Sequence, residues 1–443
     1  MPEALLVTLA VLATVAAIGL ALSAFNRTGE IATPWTLFLA MATIDVFVPA
    51  AMQTVAPDTV LSASTVDTIG VALLVFVLST VLFAVGYGVA TGTAAAPRAS
   101  SRLVVRFRIC EAILCLALSV TIWRISHDSA GFSSFREFID VALKARFTHA
   151  PSPTDITTRL LLQLSGTALT AAFICIGVLF MHRERAPVRY GVVWPAVGLV
   201  FSMSTLFRGT ILGYLLGLLV VEVIRRREIA VGGEFEAFRR WSRVAVACGL
   251  LVGMTFFAYG SVRNWRTARA YGQQTSLAAG IVHEARQYSS GHGLRGLAAI
   301  IDQYPAHIPY LGGKTFRDMV LLPVPRTIWK GKPEWYGIDD ITRAMGWPPS
   351  TQSAVTMPGE LWANFGPLGL VLMPFYGLGF GLVYRWRMGP RIRYLYAFQV
   401  LPLMLTASWM AFTMVMNVLI TVPVYAVLLW VVIGSDRDRP VLS

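Results

Sequence analysis

Cations, indole rings and a carboxylate crowd into one polar stretch of this chain, residues 261–358, and into the segment that follows it. Two runs carry most of them: Pro325-Arg326-Thr327-Ile328-Trp329-Lys330-Gly331-Lys332-Pro333, and Met357-Pro358-Gly359-Glu360-Leu361-Trp362-Ala363-Asn364-Phe365-Gly366. Guanidinium groups grip phosphate oxygens through two parallel hydrogen bonds, and an ammonium acts on them as a point charge. Arg326, Lys330 and Lys332 stand between two prolines, whose fixed φ stiffens the segment. Trp329 and Trp335 are interleaved with them and offer flat faces to sugar rings. The same residues would also serve as an interfacial anchor built from Trp and Lys. Lys314 and Arg317 extend the basic surface upstream; the spacing in Gly312-Gly313-Lys314-Thr315 is not that of a phosphate-binding loop opening a helix after a strand.

Glu360 follows Pro358-Gly359 and opens an apolar run. A carboxylate there is favoured by the helix dipole, which is a sufficient structural reason for it; at a membrane boundary it could also take a proton as a general base. Asn364, four residues on, shares its face. Arg263, Arg266 and Arg269 are three apart and would line one side of a continuing helix, as a phosphate grip or as headgroup anchors. Arg208 lies in Thr205-Leu206-Phe207-Arg208-Gly209-Thr210, a tight turn between two apolar runs, where Gly209 lets a ligand approach the backbone. Asp45 sits deep in an apolar run, where an ionisable group marks function or a buried partner. The six histidines are dispersed without ligand spacing, and the adjacent pair Asp339-Asp340 is weak support for a divalent ion, so no metal site and no cofactor is expected.

These residues must be positioned by membrane helices. The chain has 443 residues, 56% hydrophobic and 14% charged, and runs of about 20 apolar residues, each enough to cross a hydrocarbon core of about 30 Å, recur along it. About eleven spans are expected, near 4–25, 33–56, 70–92, 109–123, 158–181, 190–206, 209–224, 243–260, 360–384, 395–412 and 415–434. The fold class expected is therefore all-α, a polytopic integral membrane protein with three parts: spans one to eight over 1–260, a large extracytoplasmic loop over 261–358, and spans nine to eleven with a tail over 359–443. Within the loop, Leu277 to Tyr288 and Leu294 to Tyr304 have the periodicity of short amphipathic helices, separated by a breaker at Ser289–Gly293.

Arginines occupy every second connection: Arg98 to Arg108, Arg183 to Arg189, Arg225 to Arg243, and Arg385 to Arg393. The positive-inside rule places that set in the cytoplasm, the N-terminus and the long loop outside, and the C-terminus inside. Glu111 and Glu222 then read as partners of cytoplasmic arginines. The net charge of +13 reports topology before anything else, and arginines scattered between spans speak against nucleic acid as a partner. Cys110, Cys115, Cys175 and Cys248 all fall in or beside apolar runs and read as small buried residues rather than disulfide or metal ligands. The first apolar run lacks a basic leader and is long enough to span.

Taken together, the Arg208-Gly209 turn, the outer loop before the last three spans, Pro-Arg-x-x-Trp-x-x-Lys-Pro at 325–333 and Pro-Gly-Glu-x-x-x-Asn-Phe-Gly at 358–366 resemble the Wzy-type polysaccharide polymerases, the O-antigen or oligosaccharide repeat-unit polymerase family. The resemblance is sharpest over about 310–370. It implies a metal-independent glycosyltransferase of the lipid-linked-donor (GT-C-like) kind in the bacterial plasma membrane. Its substrate would be an undecaprenyl-diphosphate-linked oligosaccharide, in contact with membrane lipid, and its partners a flippase and a chain-length regulator. On that basis Glu360, Arg208 and Arg326 are the expected catalytic residues, and Arg263, Arg266, Arg317, Lys332, Trp329 and Asn364 the expected substrate-binding ones. An O-antigen ligase, with His283, His292 or His307 in the outer loop, and a transporter or flippase of lipid-linked sugars are the alternatives. A transporter would call for repeat symmetry and midplane charges, and the sequence has neither beyond Asp45.

Overall fold

The computed structural model of the chain describes residues 33–47, 66–92, 103–129, 156–204, 208–229, 292–321, 338–346, 355–387, 391–404 and 412–435, with a few isolated positions between them. In chain order these form α1 (Pro34–Ala42), α2 (Val66–Gly92), β1 (Leu103–Val105), α3 (Phe107–Ser129), α4 (Ile156–Met181), α5 (Trp194–Ser204) and α6 (Arg208–Ile229). There follow α7 (His292–Gln303), α8 (Lys314–Val320), α9 (Ile338–Ala344), α10 (Met357–Phe365), α11 (Met373–Trp386), α12 (Ile392–Leu395), α13 (Leu401–Met404), α14 (Phe412–Val432) and β2 (Ile433–Ser435). The protein is nearly all helical, as its long apolar runs require. Among the described residues, two helical stretches are long and apolar enough to cross a membrane: Thr68–Gly92, with a mean hydropathy of 2.6, and Met357–Trp386, with 1.6. Thr167–Met181 and Thr421–Val432 are shorter apolar helices.

The chain forms two compact units. The first comprises Met1–Ala95, Ala285–Arg385 and Leu403–Ile420. In it, α1 starts with a reciprocal cap: the Thr36 backbone N–H donates to the Thr33 hydroxyl and the Thr33 N–H to the Thr36 hydroxyl, each at 3.0 Å. Asp45 lies in the π-helical turn Thr43–Phe47 that follows. Phe38 stacks on Phe83 of α2 with ring centroids 4.5 Å apart, joined by Phe76 and Phe47. α2 and α11 pack backbone to backbone: a Cβ on Gly86 would come within 1.8 Å of the Pro374 carbonyl oxygen, and one on Gly377 within 2.0 Å of that of Phe83. The opposite face of α2 is apolar and exposed. Val71, Leu74, Leu78, Val81, Val85 and Val89 recur every three or four residues along one stripe.

The second unit comprises Ala96–Glu284, Trp386–Pro402 and Thr421–Ser443. α3 and α4 pack along each other, with the Cys110 thiol 3.5 Å from the Cys175 carbonyl oxygen. Tyr214 of α6 donates to the Pro195 carbonyl at 2.8 Å and tilts against Phe173. The expected carboxylate–arginine pairs are present, Glu111 with Arg189 at 2.9 Å and Glu222 with Arg183 at 2.6 Å.

The all-α class holds, with one short addition: β1 and β2 form an antiparallel ribbon with Val104 opposite Gly434. The ribbon sits where the last carbonyls of α14 would otherwise lack donors. The Arg106 N–H reaches Val432 O at 2.9 Å, its guanidinium Val431 O at 3.2 Å, and Arg391 donates to Ile433 O at 2.8 Å. Several expectations are corrected. The expected ninth span is not one α-helix: α10 stops at Phe365 because Gly366 takes φ +61, in the left-handed region, and Pro367 follows, so a 3₁₀ segment, Gly366–Leu372, links it to α11. The expected fourth span, 109–123, falls within α3, a 23-residue helix. Cys115 is exposed, unlike Cys110 and Cys175. Within the polar stretch 261–358, His292 and Gly293 begin α7 instead of breaking it. Spans one and eight lie outside the described residues but for isolated positions, as does most of 277–288.

Candidate functional site

α10 carries two of the expected site residues and is built to hold them. Thr356 caps it, its hydroxyl accepting the Gly359 N–H at 3.2 Å, and Pro358 sits in the first turn where no backbone donor is needed. Glu360 closes the first full turn through its N–H to Thr356 O at 2.8 Å. Its side chain is only 1% exposed, and the Tyr376 hydroxyl on α11 is an electrostatic neighbour. The turn is covered by α7: a Cβ on Gly359 would stand 3.0 Å from Ile300 Cδ1 and 3.8 Å from Leu297 Cδ1. Glu360 therefore does not sit at an open mouth, as the sequence suggests; it is enclosed where α7, α10 and α11 meet.

Asn364 lies one turn on and is also 1% exposed. Its amide nitrogen donates to the Glu360 carbonyl and to the Thr315 hydroxyl, both at 2.8 Å, and its side-chain oxygen accepts the Thr315 N–H at 3.4 Å. The backbone reinforces the junction. Leu311 and Gly312 donate to the carbonyls of Ala363 and Asn364 at 3.0 Å. Gly312 and Gly313, both with positive φ, turn the chain there into α8. Asn364 is thus a brace between α8 and α10 and not an open contact residue.

α8 presents its cations outward on short tethers. Arg317 is 65% exposed, and its guanidinium donates to Asp318 Oδ1 at 2.9 Å. Lys314 Nζ is 2.6 Å from Asp340 Oδ1 on α9 and 3.9 Å from Asp318 Oδ2. Asp318 is 1% exposed, so a buried carboxylate fixes each cation's position. Asp340 Oδ1 is thus engaged by Lys314. Beneath these charges Tyr304, Ile300, Ile341, Val355 and Ala363 form a core, and Trp362 Nε1 donates to the Tyr304 carbonyl at 3.4 Å. The Tyr304 hydroxyl is buried without a hydrogen-bond partner among the described residues. Burial, and then the Asp340 carboxylate, push its pKa up to about 12.

Of the expected site residues, Glu360, Asn364 and Arg317 are brought together in this junction. Arg208 belongs to the other unit, where it is the first residue of α6; the rest of the expected turn, 205–207, lies outside the described residues. Arg263, Arg266, Arg326, Trp329 and Lys332 lie outside the described residues. His307 is exposed just past α7. Sequence reasoning missed Asp318, Thr315 and Tyr304. The i,i+4 spacing of Lys314 and Asp318 was the available signal for the first. Among the described residues no three His, Cys, Asp or Glu side chains gather as a metal site. Comparison of the chain with family models, with curated proteins and with solved structures finds no match.

Proposed function

We propose that this chain is a polytopic glycosyltransferase of the bacterial plasma membrane that joins undecaprenyl-diphosphate-linked oligosaccharide repeat units into a polysaccharide on the outer face. The observation that carries the reading is the α8–α10 junction: an enclosed carboxylate, Glu360, opens an apolar stretch of membrane-spanning length, and beside it two cations, Lys314 and Arg317, are held by Asp340 and the buried Asp318. Membrane residence is supported by the apolar stripe on α2, whose exposed Val and Leu side chains suit acyl chains.

In this reading the acceptor sugar hydroxyl attacks the anomeric carbon of the donor glycan. The new C–O bond forms as the bond from that carbon to the lipid diphosphate breaks, and the bonding pair leaves with the diphosphate. Negative charge grows on the leaving oxygens, where arginines stabilise it. Arg317 is assigned that work, and Arg208, Arg263, Arg266, Arg326 and Lys332 are the candidates for it that the sequence supplies, each to be tested on its own. Glu360 takes the hydroxyl proton, which requires α7 to yield enough to admit the acceptor. Trp329 provides a sugar-stacking face, and Asn364 holds α8 and its cations against α10.

The test is chain extension by the purified full-length protein in nanodiscs, supplied with lipid-diphosphate repeat units. Arg208→Ala, Arg326→Ala and Arg317→Ala should each cut polymer formation while protein still accumulates in the membrane, and Lys should rescue poorly wherever the contact is bidentate. Normal polymer from all three alanine variants would rule out this phosphate site. The orientation is checked by thiol labelling. A cysteine near Gly291 should react with an impermeant reagent in intact cells and one near Gly232 should not; the reverse pattern would put the junction on the wrong side for this chemistry.

A further inference from the structure

A second polar site lies in the other unit, between the ends of α4 and α6. An open cleft of about 380 Å³ is lined by Arg183, Glu184, Pro187, Gly191, Val192 and Arg225. Arg183 stands in the 3₁₀ turn Arg183–Arg185 that ends α4, with its guanidinium 4.5 Å above the Phe180 ring. Gly191 lies in the π-helical turn Arg189–Val193, close enough that a Cβ there would stand 3.3 Å from Arg183 Cδ. Arg225, near the C-terminal end of α6, donates to Glu222 at 3.2 Å and to Glu184 at 2.8 Å. Each arginine is therefore oriented before any ligand arrives.

The local charge favours an anion. Arg183, Arg185, Arg189 and Arg225 face the three carboxylates Glu111, Glu184 and Glu222, and Arg185 stacks over Phe107 at 4.7 Å with no carboxylate partner among the described residues. Glu184 is 75% exposed, so its pair with Arg225 is a weak surface bridge that a phosphate can replace at little cost. What the cleft opens onto decides the kind of anion. Val188, Val192 and Val193 are exposed on its rim. Ala196 and Val200, also exposed, continue from Val192 at four-residue steps along one face of the π-turn and α5. A soluble anion gains nothing from such a wall, whereas an acyl chain does.

We infer that this cleft is a binding site for an anionic phospholipid, with the phosphodiester on Arg183 and Arg225 and a chain along Val192, Ala196 and Val200. The inference rests on the membrane part of the function proposed above and not on its chemistry. Held there, the lipid ties the end of α4 to the end of α6 at the bilayer surface. A cation near an anionic lipid surface adds about 1 kcal/mol, or about fivefold in affinity.

The experiment is native mass spectrometry of the full-length protein titrated with phosphatidylglycerol or phosphatidylcholine, with inorganic phosphate as competitor. Phosphatidylglycerol should bind at least about fivefold tighter than phosphatidylcholine, Arg183→Gln should erase that preference, and inorganic phosphate should not displace the lipid. Val192→Glu places a carboxylate on the exposed rim without touching the core. It should erase the preference with an unchanged melting temperature, and it carries the test if Arg183→Gln does not accumulate. Equal binding of the two lipids, or a preference intact in Val192→Glu, overturns the proposal, and displacement by inorganic phosphate assigns the cleft to a soluble anion instead. Release of the chain from membranes by alkaline carbonate would refute the membrane reading itself, a result distinct from lost lipid preference in a protein that stays in the bilayer.

Discussion

Asn364 and Thr315 hold each other twice: the Asn364 amide donates to the Thr315 hydroxyl at 2.8 Å, and the Thr315 N–H donates back to the Asn364 side-chain oxygen at 3.4 Å. Both residues are buried, so neither bond competes with water. The same amide also donates to the Glu360 carbonyl. One side chain therefore sets the distance between the helix that bears Lys314 and Arg317 and the turn that bears Glu360.

Removing that brace leaves the Thr315 hydroxyl and N–H with no partner in a buried place. Asn364→Ala should cost about 1–3 kcal/mol, the typical penalty of stranding buried polar groups. Asn364→Asp should fare no better, because the carboxylate cannot donate to the Glu360 carbonyl. Thermal unfolding in detergent measures the cost. If Asn364 acts only as a brace, Lys314→Met combined with Asn364→Ala should lose no more activity than Asn364→Ala alone.

The contact between α2 and α11 depends on two glycines with no room for a methyl group. Gly86→Ala and Gly377→Ala drive a Cβ into a neighbouring carbonyl, and each should destabilise by about 1–3 kcal/mol through overpacking. Gly88 and Gly379 lie in the same helices with open space around them. Alanine there should be neutral or stabilise by up to about 1 kcal/mol, as glycine is the poorer helix former. Equal melting temperatures for all four variants would show that the two helices do not approach so closely.

Tyr304 gives the loop a pH signature. Its folded pKa, about 12, stands above the ordinary 10.0, so burial favours the neutral phenol. As pH rises, the unfolded chain releases this proton first. The contribution to stability is whole below about pH 10 and is lost between about 10 and 12, at up to about 1.4 kcal/mol per pH unit. Tyr304→Phe cannot ionise, so it should unfold at higher pH than the parent, with near-equal stability at pH 7 because the hydroxyl it deletes has no partner to strand among the described residues. Matching alkaline unfolding curves for the two proteins would refute the buried-phenol account.

Long apolar runs were the part of this fold legible in sequence, because a 20-residue stretch without charge has few other uses, and α2, α4 and α6 fall where those runs lie. The break inside Met357–Trp386 was less so: Gly366-Pro367 is visible in the sequence, but hydropathy averages across it. The ribbon between β1 and β2 joins segments about 330 residues apart, which no local pattern reports. At the site, residue types pointed to Glu360, Asn364 and Arg317. Burial did not follow from type, since a carboxylate after Pro-Gly reads as a surface cap until α7 is seen lying over it. Asp318 and Asp340 decide where Lys314 and Arg317 stand, yet in sequence Asp318 draws no notice and Asp340 only weak support for a divalent ion beside Asp339.

Glu360→Gln separates a proton acceptor from a structural carboxylate. The substitution keeps size and hydrogen-bonding capacity but cannot take the acceptor's proton. If Glu360 serves only to favour the first turn of α10, its loss should cost at most about 1 kcal/mol of local stability, a typical helix-dipole contribution, with polymer formation largely intact. If it is the general base, turnover should fall by about 10²–10⁴-fold while binding of the lipid-linked substrate is retained, because the cations of α8 remain in place. The measurement pairs chain extension by the purified protein with a separate binding assay for the lipid-diphosphate repeat unit. Near-normal extension by Glu360→Gln would remove this residue from the chemistry and turn attention to His307, exposed just beyond α7. Loss of binding together with turnover would make Glu360 a keystone of the α7–α10–α11 packing instead, a role its 1% exposure already permits.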